Sequence, residues 1–454
     1  MVDVKLAQKV NAFFEAETAY GDPLGSNLYH IGRLDTFDPR MLDHQYAGVP
    51  TIGHSTDAHV IKGPTKVTLP LKIGLWGTGW RTLLGQAIGI TTVYGSTTSP
   101  AFLTTAVDSS TIIAEEAVGS NWQTTLVSGV SFNGATLDAD FTAAAPMTID
   151  FDTLAYYTVE GTANSSRTTA RNITASPATD GTFVQQDFSS VSLPSQPTTD
   201  PLLAQDLTIE YSTAAATNGL SFDGPAGSYV EVGEKYMLFY DSAGAADAGV
   251  PTGGSEPAGI VATGVIDMTH STTDTTQEID DAADAGWTGW TVTVVGSDAT
   301  AQNLVKGVYD TSSAKTVFAA TTMTAWPYVK TASLKIMNNN VPIAGKKTGD
   351  NSVVKVLANG DVARGKSDIT LDITATAKDE TFYDLMQAET LLPLVRLTIN
   401  DGGTNRTIAL TNGRIVSRTA GYSAGGEVTE TISVKFVGTG TAHNWSKYAI
   451  SGDF

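Results

Sequence analysis

The chain has 454 residues, of which 41% are hydrophobic, and this length predicts about two to four domains with packed cores. It contains no cysteine, which excludes disulfides, thiolate nucleophiles, zinc–thiolate sites and iron–sulfur clusters. The formal net charge is −20, and an acidic surface repels phosphate backbones, so ordinary nucleic-acid binding is excluded as well. The charge leaves three explanations open: solubility, a surface that DNA passes without sticking, or adaptation to high salt.

The N-terminal residues 1–23 have no basic region followed by a long apolar run, so no secretory signal is predicted. No stretch reaches the roughly 18 apolar residues that a membrane-spanning helix needs. We therefore expect a chain that folds in the cytoplasm where it is made and does not enter a membrane.

The first clear strand is predicted at residues 65–73, where apolar and polar side chains alternate as they do when one face of a strand is buried. Pro70 cannot donate to a strand ladder, which favours an edge or a bulge there. A short amphipathic helix is predicted at residues 80–88. Further strands follow at residues 147–160 and 207–211.

Residues 212–325 differ in composition, because they are rich in Gly, Ala, Thr and Asp and their only basic residues are Lys235, Lys306 and Lys315. Strands are predicted within them at residues 229–240, 260–270 and 290–295. We interpret this segment as an inserted, acidic, small β domain on the outer surface, and the alternative is a set of long loops. The remainder, 1–211 and 326–454, would then form one discontinuous β core.

The C-terminal third has the most regular pattern. Strands are predicted at residues 331–337, 367–377, 394–399, 406–410, 415–417 and 428–437. A helix is predicted at residues 379–390, and Asp401, Gly402 and Gly403 are a strong hairpin signal. Strands without βα alternation predict a mainly β fold, namely an antiparallel β-sandwich or partial barrel with a packed α-helix, plus the inserted β domain.

Candidate metal-binding and acid–base residues are few. His54 and His59 flank Asp57, but on a strand the two rings would point to opposite faces, so an exposed loop is favoured over a metal site. Asp150 and Asp152 share one face of a strand, where exposure to solvent is favoured over an acid–base pair. We predict no catalytic, cofactor-binding or metal-binding residue, and therefore a protein that is not an enzyme.

Two other segments have a functional and a structural interpretation. Residues 274–286 are rich in carboxylates but lack the ligand order of a calcium loop, so at most weak cation binding is expected there. Trp287 and Trp290 could form an aromatic platform for a carbohydrate, and packing in a core or a subunit contact is the favoured alternative.

The order of the elements resembles the tail tube proteins of long-tailed viruses of bacteria and archaea. Four parts of the chain carry the resemblance: FFEAETAYGDP near the N-terminus, TKVTLPLKIGLW leading into GWRTLLGQAIG, the paired strands around NGATLDADFTAAAPMTIDF, and the C-terminal part from KTASLKIM to GEVTETISVKF. Residues 2–211 and 328–454 are covered, and the segment between them departs from the family pattern as an insertion would. Each motif alone is a weak alternating strand, and the order and the position of the helix give the resemblance its weight.

The resemblance implies a structural subunit of the viral tail tube. Six copies would form a ring with joined inner strands, and rings would stack around a channel for genome delivery. The implied partners are the chain itself and other tail proteins such as the terminator and the baseplate or tip, while DNA passes through the lumen without specific binding. The implied location is the virion tail. The N-terminal segment and a loop at residues 35–62 are candidate arms that reach neighbouring rings.

A rival hypothesis is a carbohydrate-binding or adhesive β module without a tube-forming role, in which the acidic insertion does the binding. It predicts a shallow aromatic groove and a monomer. A third hypothesis, a hydrolase, predicts carboxylates clustered in a cleft, which the sequence does not indicate.

Overall fold

A computed structural model describes residues 5–17, 28–37, 42–49, 59–67, 69–88, 109–118, 121–155, 157–160, 172–177, 183–187, 199–240, 264–286, 289–342, 362–363, 367–421, 426–438 and 450–453. The prediction of a mainly β fold is confirmed. One sheet of 16 strands dominates the described part of the chain, and its strand pairs are antiparallel. The described strands do not close this sheet into a barrel.

The elements follow one another along the chain in three groups. The first group is β1 (Lys5–Ala16), β2 (Tyr29–His30), β3 (Arg33–Phe37), β4 (Leu42–Val49), β5 (His59–Val67), β6 (Leu71–Gly74), α1 (Gly79–Ile88), β7 (Ser109–Val118), β8 (Asn121–Asp140), β9 (Thr148–Leu154), β10 (Tyr157–Glu160), β11 (Asn172–Pro177) and β12 (Phe183–Asp187). The second is β13 (Leu207–Ser212), β14 (Ala215–Asp223), β15 (Tyr229–Val232), β16 (Tyr236–Tyr240), β17 (Gly264–Asp267), α2 (Thr276–Gly286), β18 (Thr291–Val295), β19 (Gly307–Asp310), β20 (Lys315–Ala320) and β21 (Thr324–Ala325). The third is β22 (Val329–Met337), β23 (Val341–Pro342), β24 (Val362–Ala363), β25 (Asp368–Thr376), α3 (Thr381–Gln387), β26 (Leu392–Asp401), β27 (Thr404–Gly421), β28 (Thr429–Phe436) and β29 (Ile450–Asp453).

Two long strands give the large sheet two layers. The second half of β8 pairs with β9 and β22, and the second half of β27 pairs with β28. We call the strands β3, β6, β9, β8, β22, β25, β28 and the second half of β27, in this order, the front sheet. The first half of β27 pairs with β26, which continues through β13 to β21, and we call these strands the back sheet.

The hydrophobic core lies between the front and back sheets. One cluster of buried side chains contains Leu334, Leu371 and Val434 from the front sheet together with Leu397 and Ile408 from the back sheet. The same cluster includes buried residues of β1, β7 and α1. The alternation that the sequence shows in β25 is therefore the alternation between this core and the opposite face of the front sheet.

The predicted strand at 65–73 is wrong as one continuous element. β5 ends at Val67 and β6 begins at Leu71, so the ladder is interrupted beside Pro70. The Thr153 hydroxyl replaces a ladder partner there: Leu69 N donates to Thr153 Oγ1 at 3.2 Å, and Thr153 Oγ1 donates to the Leu69 carbonyl at 2.7 Å. A side chain thus satisfies backbone groups next to a residue that has no N–H.

The predicted loop at 35–62 is also wrong in part, because β4 and β5 form a hairpin in this region. The remaining strand predictions agree more closely. The predicted helices at 80–88 and 379–390 correspond to α1 and to the shorter α3. The hairpin between β26 and β27 turns at Gly402 and Gly403, whose φ angles of 62° and 92° lie in the left-handed region.

Helix α1 begins where the chain passes close to β2. A Cβ atom at Gly79 would lie 2.0 Å from the His30 carbonyl oxygen, which belongs to the backbone and cannot swing aside. We expect Gly79→Ala to lower the free energy of unfolding by about 1–3 kcal/mol, the usual cost of overpacking. Urea unfolding measures this, with Ala87→Gly as a control that removes a methyl group from the same helix; an unchanged midpoint for Gly79→Ala would contradict the close approach.

Residues 213–323, between β13 and β21, form sheets of their own, and we call them the inserted segment. β18, β14 and β20 form one sheet, and β17, β16, β15 and β19 form another. These sheets and α2 share a hydrophobic cluster that includes Leu220, Phe239, Ile279 and Trp290. Thr324–Ala325 pair with β13 in the back sheet.

Candidate assembly surfaces

The front sheet has one open face that is made of small polar side chains. In β25, Thr370, Asp372, Thr374 and Thr376 are half-buried, whereas the alternate residues are buried in the core. Residues directly opposite each other in neighbouring strands share a face, so the register extends this polar surface through β9, β8, β22 and β28. The result is a broad surface of Thr, Ser, Asp and Lys.

This polar face carries a net negative charge. Its acidic side chains are Asp138, Asp140, Asp150, Asp152, Asp368 and Asp372, and its basic side chains are Lys72, Lys335, Lys435 and Arg414. Asp150 and Asp152 are exposed, as predicted. An acidic surface of this kind repels a nucleic-acid backbone.

The charges of the polar face are arranged in two zones. On β22, β25 and β28 the carboxylates pair with lysines: Lys335 Nζ lies 2.7 Å from Asp372 Oδ2, and Lys435 Nζ lies 3.0 Å from Asp368. Partial burial raises the pKa of Asp372, but hydrogen bonds from Lys335 and Ser433 outweigh this and hold the pKa below its ordinary value. The four other carboxylates are spread along β8 and β9, where Lys72 stands opposite Asp150, and hydrogen bonds from the Thr142 hydroxyl and N–H lower the pKa of Asp140.

One edge of the front sheet has no paired strand along the second half of β27, although α3 packs beside it. Strand β26 pairs with β27 only as far as Gly413, but β27 continues to Gly421 with β28 on its other side. Beyond Gly413, no strand among the described residues pairs with the edge that β26 leaves. Such an edge presents N–H and C=O groups that can pair with another chain.

Exposed apolar side chains lie along this open edge. A bulge between Ile415 and Ser417 turns Val416 outward, and its side chain is 56% exposed. Tyr383 of α3 and Leu391 are also exposed, at 37% and 38%. We call Val416, Tyr383 and Leu391, with the backbone of residues 414–421, the edge patch. Arg418 lies over the Tyr383 ring at 5.6 Å and pairs with Glu430 at 2.7 Å, which fixes α3 beside this edge.

Two hairpins are separate from the large sheet. β4 pairs with β5, and β11 pairs with β12, in two-stranded sheets. An isolated two-stranded ribbon is at best marginally stable in water, so each hairpin benefits from contact with another surface. These hairpins are candidates for contacts with neighbouring copies.

The inserted segment packs on one part of the back sheet, on the face that points away from the core. Ala320 and Met323 of the inserted segment pack with Leu394 of β26 and Ala409 of β27. Ser212 Oγ and Thr321 Oγ1 lie 2.7 Å apart where the chain leaves and re-enters the sheet. Because the core separates the two sheets, the inserted segment lies on the side opposite the polar face.

A buried network of three charged side chains joins the inserted segment to the back sheet. Arg396 of β26 donates from Nε to Glu234 Oε1 at 3.0 Å, and Lys306 Nζ lies 3.3 Å from Glu234 Oε2. The side chains of Glu234 and Lys306 are 0% exposed. Arg396 also donates to the Gln302 carbonyl at 2.7 Å and to Asn303 Oδ1 at 3.3 Å. The network therefore joins two cations to one buried carboxylate, that of Glu234.

Burial lowers the pKa of Lys306 to about 8, since loss of hydration and the nearby Arg396 outweigh the attraction of Glu234. The unfolded lysine has a pKa of about 10.4, so between about pH 8 and pH 10 the unfolded chain binds more protons than the folded chain. We expect the free energy of unfolding contributed by Lys306 to rise with pH across this window, by up to about 3 kcal/mol.

Urea unfolding of wild type and Lys306→Met at several pH values tests this expectation. The difference between the two proteins isolates Lys306 from the other groups that titrate in the same range. We expect the advantage of Lys306→Met to shrink as pH rises through the window. If the free energies of unfolding of the two proteins change with pH in parallel, the low pKa of Lys306 is contradicted.

The structure places the other candidate residues as follows. His59 begins β5, whereas His54, Asp57 and Trp287 lie outside the described residues. Residues 276–286 form α2, so the carboxylate-rich stretch is a helix rather than a cation-binding loop. Trp290 is buried with its ring 5.1 Å from that of Phe239, which confirms core packing. Within the described ranges, no group of three or more His, Asp or Glu side chains could hold a metal ion.

Comparison with known proteins adds little to this geometry. No protein-family model and no curated protein matches the chain. Among solved structures, a chain of the "virion of native gene transfer agent (GTA) particle" is 10% identical, with 29% of this chain and 89% of that chain covered and a TM-score of 0.20. A chain of the "tail of empty GTA particle" with C6 symmetry is also 10% identical, with 25% and 80% covered and a TM-score of 0.19. Because both TM-scores are low, we draw no conclusion about this chain from them.

The charged network was missed by sequence reasoning, although one signal was present. Lys306 stands between Val305 and Gly307 in a strand-like stretch of a segment with very few basic residues. A lysine in such a position indicates a buried partner. The residue that supplies the contact to the back sheet, Arg396, lies 90 positions further along the chain, so the pairing itself is not visible in the sequence.

No helix in the described part is long and apolar enough to cross a membrane.

Proposed function

We propose that this chain is a structural subunit of a viral tail tube, not an enzyme, and that its copies form stacked rings around a channel for genome delivery. Six copies per ring is the number that the sequence resemblance implies. The protein acts through the shape and charge of its sheets and needs no catalytic residue, cofactor or metal.

The observation that carries this proposal is the combination of an open edge and an open polar face in one sheet. The edge of β27 beyond Gly413 offers backbone groups that a second copy can pair with. If the front sheets of successive copies join at such edges, they form a continuous wall. The polar face of that wall is acidic, which suits a channel along which DNA slides without binding.

The proposed location and partners follow from this arrangement. The subunit belongs to the virion tail, and its main partner is another copy of itself, within a ring and between rings. The hairpins β4–β5 and β11–β12 are candidates for the contacts between rings. Terminator and baseplate or tip proteins would meet the first and last rings.

Purified protein tests the proposal directly. We expect rings or tubes in negative-stain electron microscopy and a mass well above that of one chain, 47.5 kDa, in light scattering. A protein that remains monomeric at high concentration and under the ionic conditions of tail assembly would contradict it.

We further propose that the inserted segment is a separate β domain on the outer surface of the tube. Its sheets have their own hydrophobic cluster, and it packs on the back sheet, away from the polar face. With these bounds, Ser212 stays in the large sheet as the last residue of β13. Thr324–Ala325 stay there as the strand that pairs with β13.

Deletion of residues 213–323, with a short Gly-Ser link between Ser212 and Thr324, should leave tube formation intact. Removal uncovers Leu394, so Leu394→Thr is included to keep the new surface soluble. Electron microscopy should show tubes with a smaller outer diameter and a channel of unchanged diameter. A folded deletion variant that forms no rings would show that the inserted segment takes part in assembly.

The carbohydrate-binding hypothesis receives no support from the described residues. Its aromatic platform required Trp287 and Trp290, and Trp290 is buried. We therefore do not propose it.

A further inference from the structure

The contact between the inserted segment and the back sheet has two parts of different character. The apolar part is small, with Ala320 and Met323 against Leu394 and Ala409. The polar part is Arg396, which reaches three groups of the inserted segment: the Glu234 carboxylate, the Gln302 carbonyl and the Asn303 amide oxygen. These acceptors come from two separate loops, one between β15 and β16 and the other before β19.

The covalent connection alone does not fix the position of the inserted segment. The chain leaves the back sheet after Ser212 and returns at Thr324, and the neighbouring residues Ala215 and Ala320 are paired, so both crossings lie side by side. Two adjacent crossings act as a hinge. A contact away from the hinge is needed to hold one orientation, and a guanidinium with several directed hydrogen bonds supplies such a contact.

We propose that Arg396 locks the inserted segment to the back sheet in one fixed orientation. Rotation of the inserted segment about its hinge would separate Arg396 from all three acceptors at once and leave Glu234 with Lys306 alone. In combination with the proposed tube, on which this consequence rests, every copy would present its inserted segment at the same angle, and the tube surface would carry a regular array.

Two substitutions separate this lock from the general stability of the network. Arg396→Met removes the polar part of the contact with the back sheet but leaves the apolar part and the Glu234–Lys306 ion pair inside the inserted segment. Lys306→Met removes the other cation and leaves the Glu234–Arg396 contact across the junction. Each variant removes one of two cations that share one carboxylate, so the two variants change the charge of the network equally.

The distance between two spin labels reports the orientation of the inserted segment relative to the back sheet. Ser312, in the turn between β19 and β20, and Asn405, near the β26–β27 turn, are both exposed, and the chain has no cysteine of its own. Ser312→Cys and Asn405→Cys therefore give two unique labelling positions for pulsed dipolar spectroscopy. Labelled chain is diluted with unlabelled chain, so that only the distance within one chain is measured, whether or not the protein assembles.

We expect a single narrow distance peak in the otherwise wild-type chain and in Lys306→Met, and loss of that peak to a broad distribution in Arg396→Met. Circular dichroism and resistance of the inserted segment to protease establish that it stays folded in both variants. A narrow peak in folded Arg396→Met would overturn the proposal, because the apolar contact alone would then hold the orientation. A broad peak in Lys306→Met would overturn it as well, because Arg396 with its carboxylate would then be insufficient. If Arg396→Met unfolds the inserted segment, Arg396→Lys, which keeps the charge but loses the fork of donors, must broaden the peak.

Discussion

Val416→Lys should abolish ring formation without unfolding the subunit. Val416 is 56% exposed at the bulge of β27, so the substitution removes little buried surface and should change the free energy of unfolding by no more than about 0.5 kcal/mol. In a ring, the same position would lie against the next copy, where an unpaired lysine must lose its hydration. Lysine at an exposed edge is also the means by which soluble proteins prevent strand pairing between copies.

The matched control is Phe318→Lys. Phe318 is 40% exposed and belongs to β20 of the inserted segment, so it places the same charge on an exposed apolar position away from the edge patch. Electron microscopy and light scattering should show rings for the control and single subunits for Val416→Lys. Normal rings from Val416→Lys would mean that the edge of β27 is not a subunit contact.

Glu234→Gln should destabilise the inserted segment more than any other single change in the charged network. Glu234 forms ion pairs with both Lys306 and Arg396, and its side chain is 0% exposed. Neutralising it leaves two cations together away from water, and breaking a buried ion pair in this way costs about 3–5 kcal/mol. The inserted segment should then unfold at a lower denaturant concentration than the core.

Lys306→Met provides the opposite case in the same network. It leaves one cation and one anion, and it replaces a buried lysine with an apolar side chain of similar length. Because Glu234 keeps Arg396 as its partner and the loss of hydration that lowers the pKa of Lys306 is relieved, we expect Lys306→Met to be neutral or stabilising. Equilibrium unfolding measures the stability of both variants. It is followed by tryptophan fluorescence, to which Trp290, buried inside the inserted segment, contributes. If Glu234→Gln and Lys306→Met lose the same free energy of unfolding, an excess of buried positive charge is not what destabilises Glu234→Gln.

Strands with one solvent-exposed face could be predicted from the sequence. In β25, and in β28 from Ile432 onward, every second residue is apolar, and the structure buries those residues in the core. The two glycines after Asp401 likewise indicate the hairpin, because their φ angles are ones that few other residues adopt. Local chemistry decides these elements, and local chemistry is what a sequence displays.

Helix α2 was misjudged although its signal is local. Its start is a capping box: Thr275 N donates to Glu278 Oε2 at 3.2 Å, and Glu278 N donates to Thr275 Oγ1 at 3.3 Å. Ile279 and Ala283, four residues apart, then face the hydrophobic cluster of the inserted segment. The abundance of aspartate is compatible with a cation-binding loop, whereas the capping box and the spacing of the apolar residues indicate the helix.

Other features depend on distant partners and could not be predicted. The break beside Pro70 is stabilised by hydrogen bonds between Leu69 and Thr153, which are 84 positions apart, and the lock of the inserted segment depends on Arg396, which lies 162 positions beyond Glu234. The open edge of β27 is visible only when the end of β26 is known. The candidate assembly surface is therefore a product of topology, whereas its polar composition could be foreseen.

A reconstruction of the purified protein by cryo-electron microscopy tests the central claim most directly. We expect stacked rings in which the second half of β27 pairs with a strand of the adjacent copy, while Thr370, Asp372 and Thr374 face the channel and the inserted segment lies outside. A reconstruction in which the edge of β27 touches only solvent, or in which the inserted segment lines the channel, would contradict the account.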